Sequence, residues 1–126
     1  MNRIISVCLF FFILIQFSFS QQSLDSITNL FENLKVVELP YRLLKPLNFD
    51  AKKKYPVILS LHGAGGRGTD NVKQIADSKW LKYTAGEEIR STYSCYIVAP
   101  QSTGLWSEEQ LTLLKTVIKE LPSILS

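Results

Sequence analysis

An apolar run that ends in a cluster of glycines constrains the fold of this chain more than any other stretch. Residues 55–63 read YPVILSLHG, and the glycine-rich stretch GAGGRG covers residues 63–68. A short, continuous apolar run between a turn and a glycine is typical of a strand that is buried on both faces, as in a parallel sheet. The stretch therefore predicts a buried strand that opens into a loop.

The pattern repeats along the chain with helices in between. Residues 93–101, YSCYIVAPQ, predict a second buried strand, and a weaker helical pattern covers residues 71–86. The clearest helix begins at Ser107, where SEEQ forms a capping box with Gln110, and is expected to end at Pro122. Its apolar face is expected to contain Leu111, Leu114, Val117, Ile118 and Leu121. Buried strands that alternate with helices predict an α/β fold with a largely parallel sheet.

The residues before the first buried strand are expected to lie at the margin of the sheet. Residues 24–34 place apolar side chains at helical spacing and predict a short amphipathic helix. Residues 36–46 are rich in strand formers but contain Pro40, which favours an edge strand or a bulge. We therefore expect the sheet to start with an edge strand or a hairpin.

The first 20 residues are predicted to be a secretory signal peptide. Arg3 gives a positive start, residues 4–15 are almost entirely apolar, and Ser18 and Ser20 are the small residues before a cleavage site. The alternative is an uncleaved membrane anchor, but the apolar run is shorter than the roughly 20 residues that span a bilayer. We expect a secreted or periplasmic protein with no stable membrane span after cleavage, whose domain occupies residues 21–126.

Charge and cysteine content exclude several classes of protein. The net charge is +3, of which Arg3 supplies one, and the lysines are mostly scattered, so no nucleic-acid partner is expected. Cys95 is the single cysteine after residue 20, so it has no partner for an intramolecular disulfide. No metal and no cofactor are predicted.

The glycine-rich stretch allows three interpretations. Residues 63–68 match the G-x-G-x-x-G dinucleotide pattern, but the candidate ribose-binding acids, Glu87 and Glu88, precede the second strand instead of ending it. A phosphate-binding P-loop requires a lysine, whereas Gly68 is followed directly by Thr69. The third interpretation is an oxyanion hole, in which a backbone N–H after an early strand faces the negative oxygen of an attacked ester carbonyl.

Two stretches carry a family resemblance. They read LPYRLLKPLNFDAKKKYPVILSLHGAGGRGTDN over residues 39–71, and YIVAPQ followed by a tryptophan over residues 96–106. They resemble the extracellular esterases of the α/β-hydrolase fold, and more narrowly the phospholipase/carboxylesterase, dienelactone-hydrolase-like or polyhydroxybutyrate-depolymerase-like group. The resemblance implies that the backbone N–H of Ala64, or of Gly65, forms the oxyanion hole. It also implies loop-shaping or binding roles for His62, Gly63, Gly66 and Trp106.

The catalytic residues of that family have no counterpart in the sequence. No G-x-S-x-G nucleophile elbow occurs, Ser102 in PQSTG does not match it, and no histidine follows His62. The resemblance therefore implies the N-terminal part of an α/β-hydrolase domain with an incomplete sheet, inactive alone toward the family's small-molecule or polymeric esters. A complementing C-terminal segment would supply the nucleophile and base. The alternative is a non-catalytic secreted module that binds a small ligand.

Overall fold

One four-stranded sheet organises the molecule. The computed structural model describes residues 26–124, with side chains described up to residue 121, so the predicted signal peptide lies outside the described residues. The strands, in the spatial order β1-β2-β4-β3, are β1 (Glu32–Val36), β2 (Leu39–Leu44), β3 (Val57–Leu59) and β4 (Tyr96–Pro100). A 3₁₀ turn covers Ala64–Gly66, and the helices are α1 (Lys73–Ala76), α2 (Lys79–Thr84), α3 (Glu87–Thr92) and α4 (Glu108–Ile124). Over residues 26–124, no helix is long and apolar enough to cross a membrane.

The sheet combines an antiparallel hairpin with a parallel pair. β1 and β2 pair antiparallel on either side of Val37 and Glu38, and β2 runs antiparallel to β4. β3 pairs with β4 in parallel, with Ile58 opposite Ile97, and the three short helices α1–α3 form the crossover that a parallel pair requires. The expected α/β class and the hairpin at the start of the sheet are confirmed. The parallel part of the sheet is, within the described residues, the β3–β4 pair.

The helix predicted over residues 24–34 is wrong in its second half. Residues 26–28 are helical, but Glu32–Val36 is a strand of the hairpin. The Phe31 N–H donates to the Thr28 carbonyl at 3.1 Å, which closes the turn between the two. Pairing with β2 gives this segment backbone partners along its length, and that tertiary pairing overrides the helical spacing of its apolar residues.

The edge position predicted from Pro40 is also wrong, since β2 lies between β1 and β4. Pro40 is the second residue of β2, and its carbonyl accepts the Gln101 N–H at 2.8 Å just after β4 ends. Pro40 has no N–H, and the missing donor belongs to this last residue pair between β2 and the end of β4. Its loss there leaves the rest of the pairing intact, which is why an interior strand tolerates the residue.

Apolar clusters cover both faces of the sheet because successive strand residues point to opposite sides. On one face, α4 packs against Leu43 and Val98 with its buried residues Leu114, Val117 and Leu121. The opposite face is covered by a second cluster, comprising Phe31, Leu44, Ile75, Leu81, Ala85, Ile97 and Ala99. The sheet thus lies between two helical layers.

Two details of α4 differ from expectation. Leu111 and Ile118 remain 39% and 48% exposed, so the predicted apolar face buries three of its five residues. The helix also continues through Pro122 to Ile124. Proline removes its own N–H donor and disfavours the helical conformation of the residue before it, but it does not stop the residues that follow from being helical.

β3 is less buried than predicted. Val57 and Ile58 are 43% and 38% exposed, and Leu61 beyond the strand is 43% exposed. β3 has β4 on one side only and is one of the two edge strands of the described sheet. Because β3 has a strand on one side only, its outer edge stays open. The apolar residues of this run are therefore only partly buried.

Candidate oxyanion site

The glycine-rich loop leaves the sheet at the carboxyl ends of the parallel strands. The Ser60 N–H donates to the Val98 carbonyl at 2.8 Å, which extends the β3–β4 pairing by one residue. The loop then returns to the segment after β4, where the Gly68 N–H donates to the Ser102 carbonyl at 3.1 Å. This edge of an open α/β sheet is where ligands generally bind.

The 3₁₀ turn in the loop leaves two backbone donors unused. Its hydrogen bonds begin with the Gly66 N–H to the Gly63 carbonyl at 3.3 Å and continue with the Arg67 N–H to the Ala64 carbonyl at 3.5 Å. The N–H groups of Ala64 and Gly65 precede the first of these bonds, and no hydrogen bond among residues 26–124 uses them. Both residues are exposed at the surface of the loop.

His62 holds the base of the loop through both of its ring nitrogens. Its Nε2 accepts the Ser102 N–H at 2.9 Å, and its Nδ1 lies 2.7 Å from the Gly63 carbonyl oxygen. Because Nε2 is an acceptor, the neutral ring carries its proton on Nδ1 and donates it to Gly63. The ring therefore shapes the loop, and neither nitrogen is free to act as a base.

Trp106 supports His62 from the segment before α4. The two ring centroids are 4.9 Å apart with the planes inclined by 47°, and the indole Nε1–H donates to the His62 carbonyl at 3.1 Å. The indole therefore contacts both the ring and the backbone of the histidine. The structure brings these two predicted binding residues together at the foot of the loop.

Close packing explains one of the glycines. A Cβ atom on Gly66 would lie 2.5 Å from the His62 Cβ and 3.1 Å from the Gln74 Cα, so the loop could not press against α1 with any other residue. A Cβ atom on Gly65 would come closest to the carboxylate of Asp77, which rests against the turn and whose side chain can rotate away. At Gly63 an added Cβ would meet no described atom within 4 Å, so packing does not require glycine there.

A buried amide, which the sequence analysis missed, holds the other side of the loop. Gln101 is 1% exposed, and its Nε2 donates to the Gly66 carbonyl at 3.1 Å and to Oδ1 of Asp70 at 2.9 Å. Its Oε1 accepts the Asn71 N–H. Both TDN and APQ belong to the stretches that carry the resemblance, but the sequence alone does not show that these side chains meet.

Asn71 connects the loop to the hairpin. Its φ of 53° is left-handed, a conformation that asparagine adopts more readily than most residues. Its Nδ2 donates to the Tyr41 carbonyl at 3.0 Å and to Oδ1 of Asn33 at 2.7 Å, and its Oδ1 accepts the Gln74 amide. The Arg42 Nε donates to its carbonyl at 2.7 Å. The end of the loop is thus fixed to β1, β2 and α1.

Asp70 carries a negative charge at the start of α1. Its Oδ1 accepts the N–H groups of Val72 and Lys73 at 2.9 and 3.0 Å, in addition to the Gln101 amide. Burial opposes ionisation, but the hydrogen bonds from Gln101, Lys73 and Val72 and the Lys73 charge outweigh it and lower the pKa of Asp70 to about 2. The group is therefore a carboxylate at neutral pH.

The serine nearest the loop does not form a nucleophile–base pair. The Ser102 hydroxyl lies 3.2 Å from the Gly104 N–H and 3.3 Å from the Gly104 carbonyl oxygen. His62 Nε2 is occupied by the backbone N–H of the same serine. The site therefore supplies backbone donors without the Ser–His contact that activates a nucleophile.

Two clefts lie at opposite ends of the parallel strand pair. One, of about 400 Å³, is lined by Gly68 and Gln101 together with residues of the hairpin and α4. The other, of about 410 Å³, lies near the start of β4 and is lined by Ile58, Ile97 and Arg90 among others. Within the described residues, no group of three or more His, Cys, Asp or Glu side chains could hold a metal ion.

Comparison with known proteins relates the chain to a solved esterase structure. No protein-family model matches the chain, and no curated protein matches it. The crystal structure of a thermostable esterase is similar, with a TM-score of 0.64 and 29% sequence identity over 77% of this chain. The chain has an esterase-like fold. It covers 32% of the length of that esterase.

Proposed function

We propose that this chain is the N-terminal, oxyanion-binding part of a secreted serine carboxylic-ester hydrolase and is inactive alone. The observation that carries the proposal is that two exposed residues beyond the end of β3, Ala64 and Gly65, have N–H groups that no described hydrogen bond uses. The esterase-like fold and the stretches that resemble extracellular esterases support it. The proposal includes membership of the α/β-hydrolase family and of the phospholipase/carboxylesterase, dienelactone-hydrolase-like or polyhydroxybutyrate-depolymerase-like group.

The chemistry assigned to the loop is stabilisation of negative charge. When a nucleophile attacks an ester carbonyl, the carbonyl oxygen becomes an oxyanion, and N–H dipoles already aimed at it need no reorganisation. His62 and Gln101 hold the two sides of the turn, which gives the dipoles of Ala64 and Gly65 a fixed direction. One such donor contributes about 3 kcal/mol to the transition state.

The nucleophile and the base are assigned to a complementing C-terminal segment. The sequence contains one histidine, His62, and both of its ring nitrogens already have partners. In this proposal, residues 1–20 direct secretion, and residues 21–126 supply the front of the sheet and the oxyanion loop. The substrate is a small-molecule or polymeric ester, and no cofactor or metal takes part.

Reading the coding sequence beyond the codon for Ser126 is the first test. We expect a continuation, in frame or shifted, that encodes G-x-S-x-G, then an acid and then a histidine. The purified chain is expected to leave p-nitrophenyl acetate unhydrolysed, and the restored chain to hydrolyse it. A coding region without such residues would contradict the esterase assignment, and hydrolysis by the 126-residue chain alone would contradict its inactivity.

Ala64→Pro tests the loop directly in the restored protein. Ala64 is the first residue of the 3₁₀ turn, where proline is well tolerated, and Gly63 before it has an extended backbone compatible with a following proline. The substitution removes one N–H donor, so we expect kcat to fall about 10²–10³-fold with little change in KM. Ala64→Gly, which keeps the N–H, is the matched control. Equal kcat values for the two variants would exclude this donor.

A further inference from the structure

Gln101, the first residue after β4, contacts the oxyanion loop through its side chain. Its backbone N–H donates to the Pro40 carbonyl at 2.8 Å, which anchors the residue to β2. Its side chain then bridges two points of the loop that lie on either side of Arg67 to Thr69, because it contacts Gly66 and the Asp70–Asn71 pair together. One buried side chain therefore sets both the end of the 3₁₀ turn and the start of α1.

The position requires an uncharged amide. The Gly66 carbonyl and the Asp70 carboxylate both need a donor, while the Asn71 N–H needs an acceptor. A primary amide offers two donors and an acceptor, whereas an ionised carboxylate only accepts. Asp70 is ionised over the neutral range because its pKa is lowered to about 2. A second negative charge at position 101 would face that carboxylate and the Gly66 carbonyl without water between them.

We propose that Gln101 is a positioning residue that aims the Ala64 and Gly65 N–H groups, and that its neutral amide keeps their geometry constant as pH changes. The proposal rests on the proposed function for its chemical meaning, since those two N–H groups are the assigned oxyanion donors. Gln101 itself touches no reacting atom. It acts through Gly66, the last residue of the turn, whose carbonyl it holds in place.

Other charged or titratable groups around Gln101 must be separated from its effect. Asp70 forms an ion pair with Lys73 at 3.5 Å, Arg42 reaches the network through the Asn71 carbonyl, and His62 reaches it through Ser102. The cleft beside Gln101 also contains Lys35, Glu38 and Glu109, and the Asp77 carboxylate rests against Gly65. All of these groups are present in the wild type, so the informative quantity is the difference between a variant and the wild type at each pH.

Gln101→Glu in the whole chain tests the proposal by NMR. Amide chemical shifts of Ala64 and Gly65 are followed between pH 4 and 8 in ¹⁵N-labelled protein. When the introduced carboxyl is protonated it can donate one hydrogen bond, so we expect shifts close to those of the wild type at low pH. On ionisation we expect both amides to move away from the wild-type values with a single midpoint. Gln110→Glu, on the first turn of α4, is the matched control and should leave these two amides unmoved.

A difference curve for Gln101→Glu that is flat, or that matches the Gln110→Glu curve, would overturn the positioning role. Gln101→Met keeps the length of the side chain without hydrogen bonds and covers the case in which the glutamate variant unfolds at neutral pH. We expect it to displace the Ala64 and Gly65 amides at every pH without a midpoint, and unchanged amides would overturn the proposal. The NMR readout needs no catalysis. An inactive restored esterase would therefore contradict the proposed function alone.

Discussion

The two ends of the parallel strand pair are completed in different ways. At the carboxyl ends, buried polar groups of the loop meet partners from β1, β2, β4 and α1, with Asn71 and Gln101 as the shared contacts. At the other end, the guanidinium of Arg90 donates through one nitrogen to the Lys45 carbonyl, but its Nε is buried without a partner among the described residues. Tyr93 beside it is 68% exposed. The loop geometry is therefore set by the described residues, while the opposite cleft is left open.

Burial disfavours the charged form of a side chain at both ends, but it is outweighed only at the loop end. At Asp70 the hydrogen bonds outweigh burial, and the pKa falls below its usual value. At Arg90 burial is the largest effect and lowers the pKa of the guanidinium, although the charge of Glu87 opposes it. A lowered pKa favours the charged form of an acid and disfavours that of a base. The surroundings of Asp70 at the loop end thus stabilise its negative charge, whereas the surroundings of Arg90 at the open end disfavour its positive charge.

Asn71→Ala is expected to destabilise the loop end and to cause the largest loss of unfolding free energy among these variants. The substitution removes one hydrogen-bond partner each from the buried Tyr41 carbonyl and the Gln74 amide, and it places a less tolerant residue at a left-handed φ. We expect a loss of about 4 kcal/mol in the free energy of unfolding, measured by urea denaturation. Asn48→Ala, at an exposed site before β3, is the control and should cost under about 0.5 kcal/mol. A similar loss in both variants would mean that the network does not hold the loop.

Leu43→Ala and Ile58→Ala compare the core with the open edge. Leu43 is fully buried, and its truncation should cost about 3 kcal/mol of unfolding free energy. Ile58 is 38% exposed on β3, so we expect about 1 kcal/mol or less. Both are measured by urea denaturation at several protein concentrations. Equal losses, or a loss at Ile58 that grows with concentration, would show that the edge is covered in solution.

Gly66→Ala and Gly63→Ala separate packing from backbone freedom within the loop. The added methyl at Gly66 meets His62 and the backbone of α1, so we expect a loss of about 2 kcal/mol. The methyl at Gly63 has open space and an extended backbone, and it should change stability by no more than about 1 kcal/mol in either direction. Thermal unfolding of the two variants side by side checks the difference. Equal melting temperatures would contradict the packing of the loop against α1.

The sequence located the loop but not what holds it. The apolar run before Gly63 predicted a strand that opens into a glycine-rich turn, and both occur, because local pattern and turn chemistry specify them. The partners of Gln101 lie 30 to 35 positions away, so no local pattern could pair them. The assignment of Ala64 and Gly65 as oxyanion donors stays a prediction. The helix predicted over residues 24–34 failed for the same reason, since β2 decides its conformation.

The smallest expected effect concerns the charge of Asp70 and its dependence on pH. The pKa of this carboxyl is about 2 in the folded chain, below its ordinary value of 3.8, so its charge adds stability above about pH 4. That contribution is lost as the pH falls toward 2. Asp70→Asn should therefore be less stable than the wild type at pH 6 and should approach it near pH 2.

The size of this effect is limited by solvent. The Asp70 side chain is 40% exposed, so water and salt screen its ion pair with Lys73, and we expect about 1 kcal/mol or less between pH 6 and 2. Melting temperatures of the two proteins across this range measure it, with Asp50→Asn in the turn after β2 as the control. Parallel curves for Asp70→Asn and the wild type would mean that the hydrogen bonds to Gln101, Val72 and Lys73 do not depend on the charge. The hydrogen bonds at the loop end would then depend on the positions of the donors and acceptors and not on the negative charge of Asp70.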